Sequence, residues 1–324
     1  MSAWSRFKAR LGLAGRSLLQ SEQHLGALQH LDALSPIAAR MPGLEHQLNR
    51  IATALENSER HIGLMAQMQA RGQILDIVAD PRFDDPRRLE RSGFKVHSQY
   101  DEDGIISEIF RRIGTTNRQC VEFGAGNGTE NCTGFLLMQG WKGLWIDGGD
   151  AFLPTLNVAW KPELERGQLV ARREFITVDT IDTIIRDAGF SGEIDLLAVD
   201  LDGNDYHFLE NISAVAPRVI CAEYNANIPP HVDWKMARRD DYVWEGLDDR
   251  TGASLKALEI MLGRRGYALV GCSVAGVNSF FVRQDLVGDK FADPFTAENH
   301  YHPWRFFYPA SGSVSNWREG PVRR

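Results

Sequence analysis

From about residue 94 the chain alternates short apolar runs with helical stretches, and that alternation admits few architectures. CVEF (120–123), GLWID (143–147), QLVARR (168–173), DLLAVD (195–200) and RVICAEY (218–224) have the length and apolar character of buried strands. Helical stretches at 130–139, 151–162, 180–188 and 205–212 separate them. Strands joined through helices lie parallel with the helices on both faces. The spacing therefore predicts an α/β fold with a doubly wound, mostly parallel sheet. The end of the pattern differs. A helix over 253–266, closed by Gly266, leads into YALVGCS and NSFFVRQ, which are joined by a short turn at Ala275-Gly276. That predicts a C-terminal antiparallel hairpin on the parallel sheet.

An α-helical N-terminal region, residues 1–80, precedes this domain. Pro36 and Pro42 punctuate it. Leu44, Leu48, Ile51, Leu55, Ile62 and Met65 then follow alternating spacings of four and three, with Ser58 in the missing slot. This short heptad seam suits a coiled coil that makes a homo-oligomer, or a helix folded back on its own domain. Residues 1–20 set Trp4, Phe7 and four leucines among Arg6, Lys8, Arg10 and Arg16, a basic amphipathic pattern that fits an anionic membrane surface or a protein partner. Pro81 and Pro86, with Asp80, Asp84 and Asp85, mark a linker at 81–93. The sheet domain occupies 94–290, and an aromatic and basic tail occupies 291–324. The first twenty residues lack the continuous apolar core of a signal peptide, no run reaches the ~20 apolar residues of a membrane span, and the four cysteines contain no C-x-x-C pair. A cytoplasmic, reducing location is expected, with peripheral contact at the inner face of the membrane open to the basic stretch. A net charge of −7 argues against nucleic acid as the partner.

In VEFGAGNG, Glu122 ends a strand and Gly124, Gly126 and Gly128 follow at two-residue spacing; Asp147 ends the next strand. A bare strand-to-helix turn at the carboxyl edge of a parallel sheet is where open α/β folds bind ligands, and an acid after the second strand can accept both hydrogen bonds of a ribose diol. A phosphate-binding loop would need a lysine that is absent here. A dinucleotide fingerprint would need Gly or Ala where Thr129 stands. S-adenosylmethionine has the ribose and a cationic methionine end, and has no pyrophosphate.

Glu122-x-Gly124-x-Gly126-x-Gly128 resembles the first motif of class I S-adenosylmethionine-dependent methyltransferases. HSQYDEDGIISEIFRRIG (97–114), GWKGLWIDG, IDLLAVDLDGNDYHFLENI (194–212), PRVICAEYNANIPP (217–230) and GYALVGCSVAGVNSFFVR (266–283) narrow the resemblance to FkbM-like methyltransferases over about residues 94–285. It implies a Rossmann-like methyltransferase fold, S-adenosyl-L-methionine as cofactor, and methyl transfer to a hydroxyl of a sugar or glycan, in a surface polysaccharide or a glycosylated natural product. It implies cofactor roles for Glu122, Gly124, Gly126, Gly128, Asp147 and Asp200, and for Gln99, Asp103 and Asn131 near the methionine end, where Asn131 is equally suited to capping a helix.

VDLDGNDYHF places Asp200, Asp202, Asn204 and Asp205 together after the fourth strand. Asp200 and Asp202, with Glu223 or Asn225 from the next strand end, suit a Mg²⁺ or Ca²⁺ site; alternatively Asp202 or a nearby histidine acts as base without metal. Asp205 suits a cap. Asn225 and His231, in the loop after the fifth strand, are further catalytic candidates, and Ser273, Asn278 and Lys256 are candidate substrate contacts. The competing functions are an NAD-dependent oxidoreductase and a non-catalytic cofactor-binding scaffold assembled through the N-terminal coil.

Overall fold

The computed structural model describes residues 25–243 and 250–305. The basic stretch at 1–20 and the tail beyond 305 lie outside the described residues. The chain divides into two units, residues 1–65 and 66–324.

A single helix, α1 (Leu25–Val78), extends for 54 residues. Pro36 and Pro42, expected to punctuate it, lie inside it. Each removes a backbone donor and crowds the preceding turn, at about 3 kcal/mol. The favourable propagation of a long helix on both sides offsets a local defect of that size. Leu48, Ile51, Leu55, Ile62 and Met65 are all more than half exposed along it.

The second unit is built on a seven-stranded sheet. Its strands are β1 (Gln119–Phe123), β2 (Lys142–Asp147), β3 (Leu169–Arg173), β4 (Gly192–Val199), β5 (Val215–Glu223), β6 (Tyr267–Cys272) and β7 (Asn278–Arg283). They lie in the order β3-β2-β1-β4-β5-β7-β6. The first five are parallel, and β7 runs antiparallel to both β5 and β6. This is the mostly parallel, doubly wound sheet with a C-terminal antiparallel hairpin that the sequence pattern predicts, the arrangement of the Rossmann-like methyltransferase fold. Consecutive crossovers run outward from β1 in both directions, so the chain reverses its winding between β1 and β4, and a crevice opens beyond their carboxyl ends.

Strand alternation separates two cores. Val121, Phe123, Leu197 and Val199 face one side, packed with α6 (Ile181–Asp187), α7 (Asp205–Asn211) and α8 (Leu255–Arg264). Cys120, Trp145, Leu196 and Ala198 face the other, packed with α2 (Glu102–Ile113), α3 (Gly134–Met138) and α4 (Phe152–Ala159). Short helices α5 (Lys161–Glu165), α9 (Gln284–Val287) and α10 (Ala297–His300) complete the described α-helices, and 3-10 turns lie at Pro81–Phe83 and Glu90–Ser92. Residues 81–93, expected as a linker, are packed instead: Phe83, Leu89 and Glu90 are buried. The Arg112 guanidinium donates to the carbonyls of Pro86, Arg87 and Arg88 in that segment and to that of Lys290. Burial of the apolar side chains overrides the local proline and acid signals. All four cysteines are free thiols.

Candidate active site

The three loop glycines serve different ends. Gly124 has φ +72°, and a Cβ there would lie 1.5 Å from the Asp200 carbonyl oxygen, so this glycine lets the ends of β1 and β4 meet. Gly126 has φ +55° with open space beside it, and its N–H donates to Asp147 Oδ2 at 2.7 Å. Gly128 is a packing glycine: a Cβ there would come within 2.3 Å of Leu156 Cδ2. Asp147 Oδ1 accepts from Gly149 N at 2.7 Å. The second acid is therefore held rigidly by two backbone amides at the mouth of the crevice.

Two cavities adjoin there. The larger, about 510 Å³, is lined by Gly124, Gly126 and Asp147 from the glycine loop and β2, by Glu174, Phe175 and Ile176 after β3, by Asp200 and Asp202, and by Asp240 and Tyr242. The smaller, about 200 Å³, is lined by Gln99, Tyr100, Asp200, Asp202, Glu223, Asn225, Thr251 and Trp304, among others. Asp200 and Asp202 border both. The larger cavity presents five carboxylates, at Asp147, Glu174, Asp200, Asp202 and Asp240, and no lysine or arginine among its described lining.

Carboxylate oxygens of Asp200, Asp202 and Glu223 all lie within 4.8 Å of one another. Burial, then the charges of Asp202 and Asp205, pushes Asp200 well above the ordinary carboxyl range. Burial, then the Asp200 charge, does the same to Glu223. Asp202 is raised by burial and by Asp147. Like charges this close cannot all ionise without a shared proton or a counter-cation. Asp202 has φ +54°, unusual outside glycine, and Thr251 Oγ1 donates to its carbonyl. Tyr100 beside them is held neutral, its pKa raised to about 12 by burial and by Glu102.

Several expected site residues are engaged in the protein's own contacts, and Gln99, Asp205 and Asn225 also line the smaller cavity. Glu122 shares the face of β1 that carries Cys120 and lines neither cavity; its buried carboxyl group accepts from Cys132 N at 2.8 Å and from Thr133 Oγ1 at 2.5 Å, bracing the entry to α3. Asp103, also buried, accepts from Val96 N and Ser98 N and folds the 96–98 turn. Asn131 neither caps α3 nor reaches either cavity; its Nδ2 donates to Ala125 O at 3.1 Å inside the glycine loop. Gln99 lines the smaller cavity, not the larger. His231 is exposed and borders neither cavity. Asn225 lines the smaller cavity while donating to Thr251 O at 2.9 Å. Asp205 accepts from Leu201 N and Gly203 N, fixing the turn that precedes α7, whose cap is Asn204. Ser273 and Asn278 are buried in the hairpin, and Lys256 bridges Glu259 and Glu298.

Sequence reasoning missed Phe175 and placed Trp304 only within the aromatic and basic tail. Phe175 is 59% exposed in the larger cavity. Its signal was an aromatic just past a parallel strand's carboxyl end, where ligand-facing residues collect. Trp304 is far away in sequence from everything it borders.

No protein-family model and no curated protein matches the sequence. Among solved structures, the N-terminal domain of EvdMO1 with SAH bound is 15% identical, over 61% of this chain and 90% of that one, with a TM-score of 0.37. The O-methyltransferase TomG from Streptomyces achromogenes, solved with SAM, is 13% identical over 66% and 96%, with a TM-score of 0.38. Likeness at this level transfers no residue role and no substrate.

Proposed function

We propose that the protein is an S-adenosylmethionine-dependent O-methyltransferase of FkbM-like type acting on a hydroxyl of a sugar or glycan. The carrying observation is the larger cavity's lining: five carboxylates and no basic side chain among the described residues, beside a bare glycine turn. A pyrophosphate would meet net repulsion there, although Arg238 pairs with Asp240, which counts against a nicotinamide dinucleotide, whereas a sulfonium nucleoside meets opposite charge. The residues fit that group. Gly126 has open space for a close approach. Asp147, already oriented by two amides, has acceptor capacity left for a ribose diol. Phe175 offers an exposed ring for a base.

S-adenosylmethionine supplies the electrophilic methyl group. The chain's part is alignment and proton removal. The acceptor hydroxyl sits in the smaller cavity, with Asp200 and Asp202 at the boundary. Gly126, Asp147 and Phe175 would hold the cofactor, and Asp202 would take the proton that the acceptor hydroxyl gives up on methylation. That carboxylate's raised proton affinity suits it to the task, and without a counter-cation the Asp200–Glu223 pair keeps a proton of its own. The same three carboxylates also have the donor chemistry for Mg²⁺.

Calorimetric titration tests the reading. S-adenosylmethionine binds, NAD does not, and Asp147→Asn weakens the former by about tenfold or more through loss of charge-assisted hydrogen bonds. Binding of NAD with indifference to S-adenosylmethionine overturns it. Methyl transfer to a panel of methyl glycosides and nucleotide sugars, with and without EDTA, identifies the acceptor class and decides between a cation and a shared proton in the acid cluster.

A further inference from the structure

Three aromatic residues line the smaller cavity, Tyr100, Tyr224 and Trp304, and the chain fixes the last of them from both sides. Trp304 lines the cavity and remains 36% exposed. Ahead of it, Tyr301 Oη donates to Ala226 O at 2.5 Å and Tyr224 Oη donates to His302 O at 2.6 Å. His302 is buried, stacked on Phe83, with Nε2 3.5 Å from Glu90 Oε1. Behind it, Arg305 N donates to Ala275 O at 3.1 Å and its guanidinium donates to Val274 O. The segment crosses the β6–β7 turn so closely that a Cβ on Gly276 would lie 2.4 Å from Pro303 O. Ordering a residue costs roughly 1–2 kcal/mol of backbone entropy, and here that cost is met in folding, before any ligand arrives.

The rest of the lining mixes apolar surface from Tyr100, Ala226 and Val277 with polar groups from Gln99, Asp202, Glu223, Asn227 and Thr251. A planar aromatic acceptor would also find ring contacts there, but it would desolvate several carboxylates and amides that it cannot satisfy. A saturated ring bearing hydroxyls matches both surfaces, with its C–H face on the indole and its edge on the acids and amides. A space of about 200 Å³ suits one such ring.

We propose that Trp304, fixed by the 301–305 segment, is the ring platform of the acceptor subsite, selecting a pyranose-type polyol over a planar aromatic acceptor. This rests on the methyltransferase reading for the reaction but not for the binding itself. Saturation-transfer NMR with methyl pyranosides of gluco, manno and galacto configuration, and separately with methyl 4-hydroxybenzoate, tests it on the full chain. Native protein saturates pyranoside C–H protons; Trp304→Ala weakens the pyranoside by about tenfold or more while Trp304→Phe, keeping a ring, weakens it less. Both variants keep native S-adenosylmethionine affinity, which shows that they fold. The proposal is overturned if native protein saturates no pyranoside, if it prefers the phenol, or if Trp304→Ala leaves the pyranoside signal unchanged. Should native protein bind pyranosides but no S-adenosylmethionine, the methyltransferase reading fails and the platform stands.

Discussion

At single residues, the motif VEFGAGNG separates into parts that the letters do not distinguish. Gly124 and Gly126 both need positive φ, but only Gly124 faces a backbone that an added methyl would strike. Gly126→Ala should cost about 1 kcal/mol of conformational strain, whereas Gly124→Ala adds overpacking of about 1–3 kcal/mol or more. Thermal melts should therefore show a small fall in Tm for the first and a large one for the second. Glu122, a candidate cofactor acid in sequence, is a buried brace whose pKa burial raises to about 7. Its native state keeps the proton up to that value, while the unfolded chain releases it in the ordinary carboxyl range. Between the two, the unfolded state binds fewer protons, so stability falls as pH rises, by up to about 3 kcal/mol from this group. Asp101 and Asp103, raised to about 7 and about 6 mainly by burial, act in the same direction. In urea titrations Glu122→Gln should lose stability less steeply than the native chain between pH 5 and pH 8, a range set by those carboxyl values; parallel slopes would show that Glu122 is ionised throughout. What hid this role is strand parity: which face of β1 the acid takes depends on register against β2 and β4, and the motif does not encode it.

Among the elements, the parallel strands and the hairpin were legible because a buried strand must be apolar along its length, and the joining helices leave their own period. Asp147 and the Asp200–Asp202–Glu223 set were legible for the same reason, since strand ends are countable. Packing that joins distant sequence was not legible. The segment 81–93 reads as a proline and acid linker, yet Phe83 lies against His302, and no local pattern announces a contact over that separation. The helix α1 poses the converse case. Its seam of Leu48, Ile51, Leu55, Ile62 and Met65 keeps a heptad rhythm and is exposed. An isolated apolar stripe of that length in water favours a second helix, and a 3.5-residue period matches a coiled-coil partner. Light scattering should then give a mass above the 36.4 kDa of one chain. Leu55→Asp with Ile62→Asp should return it to one chain without changing S-adenosylmethionine affinity. A native chain that already runs as a monomer removes the coiled-coil use of the seam.

For the whole molecule, charge is the property that separates the ligands. The chain carries a net charge of −7, and acids concentrate at the crevice mouth, so its field attracts cations and focuses them there. On the proposed reading, methyl transfer removes the sulfonium charge. The crevice is therefore complementary to S-adenosylmethionine and less so to S-adenosylhomocysteine. Attraction of this kind stabilises the ground state as well as the approach, so it assists capture and product release more than the chemical step. The consequence is measurable without an acceptor. At low ionic strength the Kd for S-adenosylmethionine should be lower than that for S-adenosylhomocysteine. Raising salt toward about 0.5 M, where screening acts within a few ångströms, should bring the two together mainly by weakening the cation. Sinefungin, whose amine carries the charge without a transferable methyl, should follow S-adenosylmethionine in this series. If the neutral product binds as tightly as the cation at every salt concentration, the carboxylates lining the crevice do not face the sulfonium, and charge is not what selects the ligand.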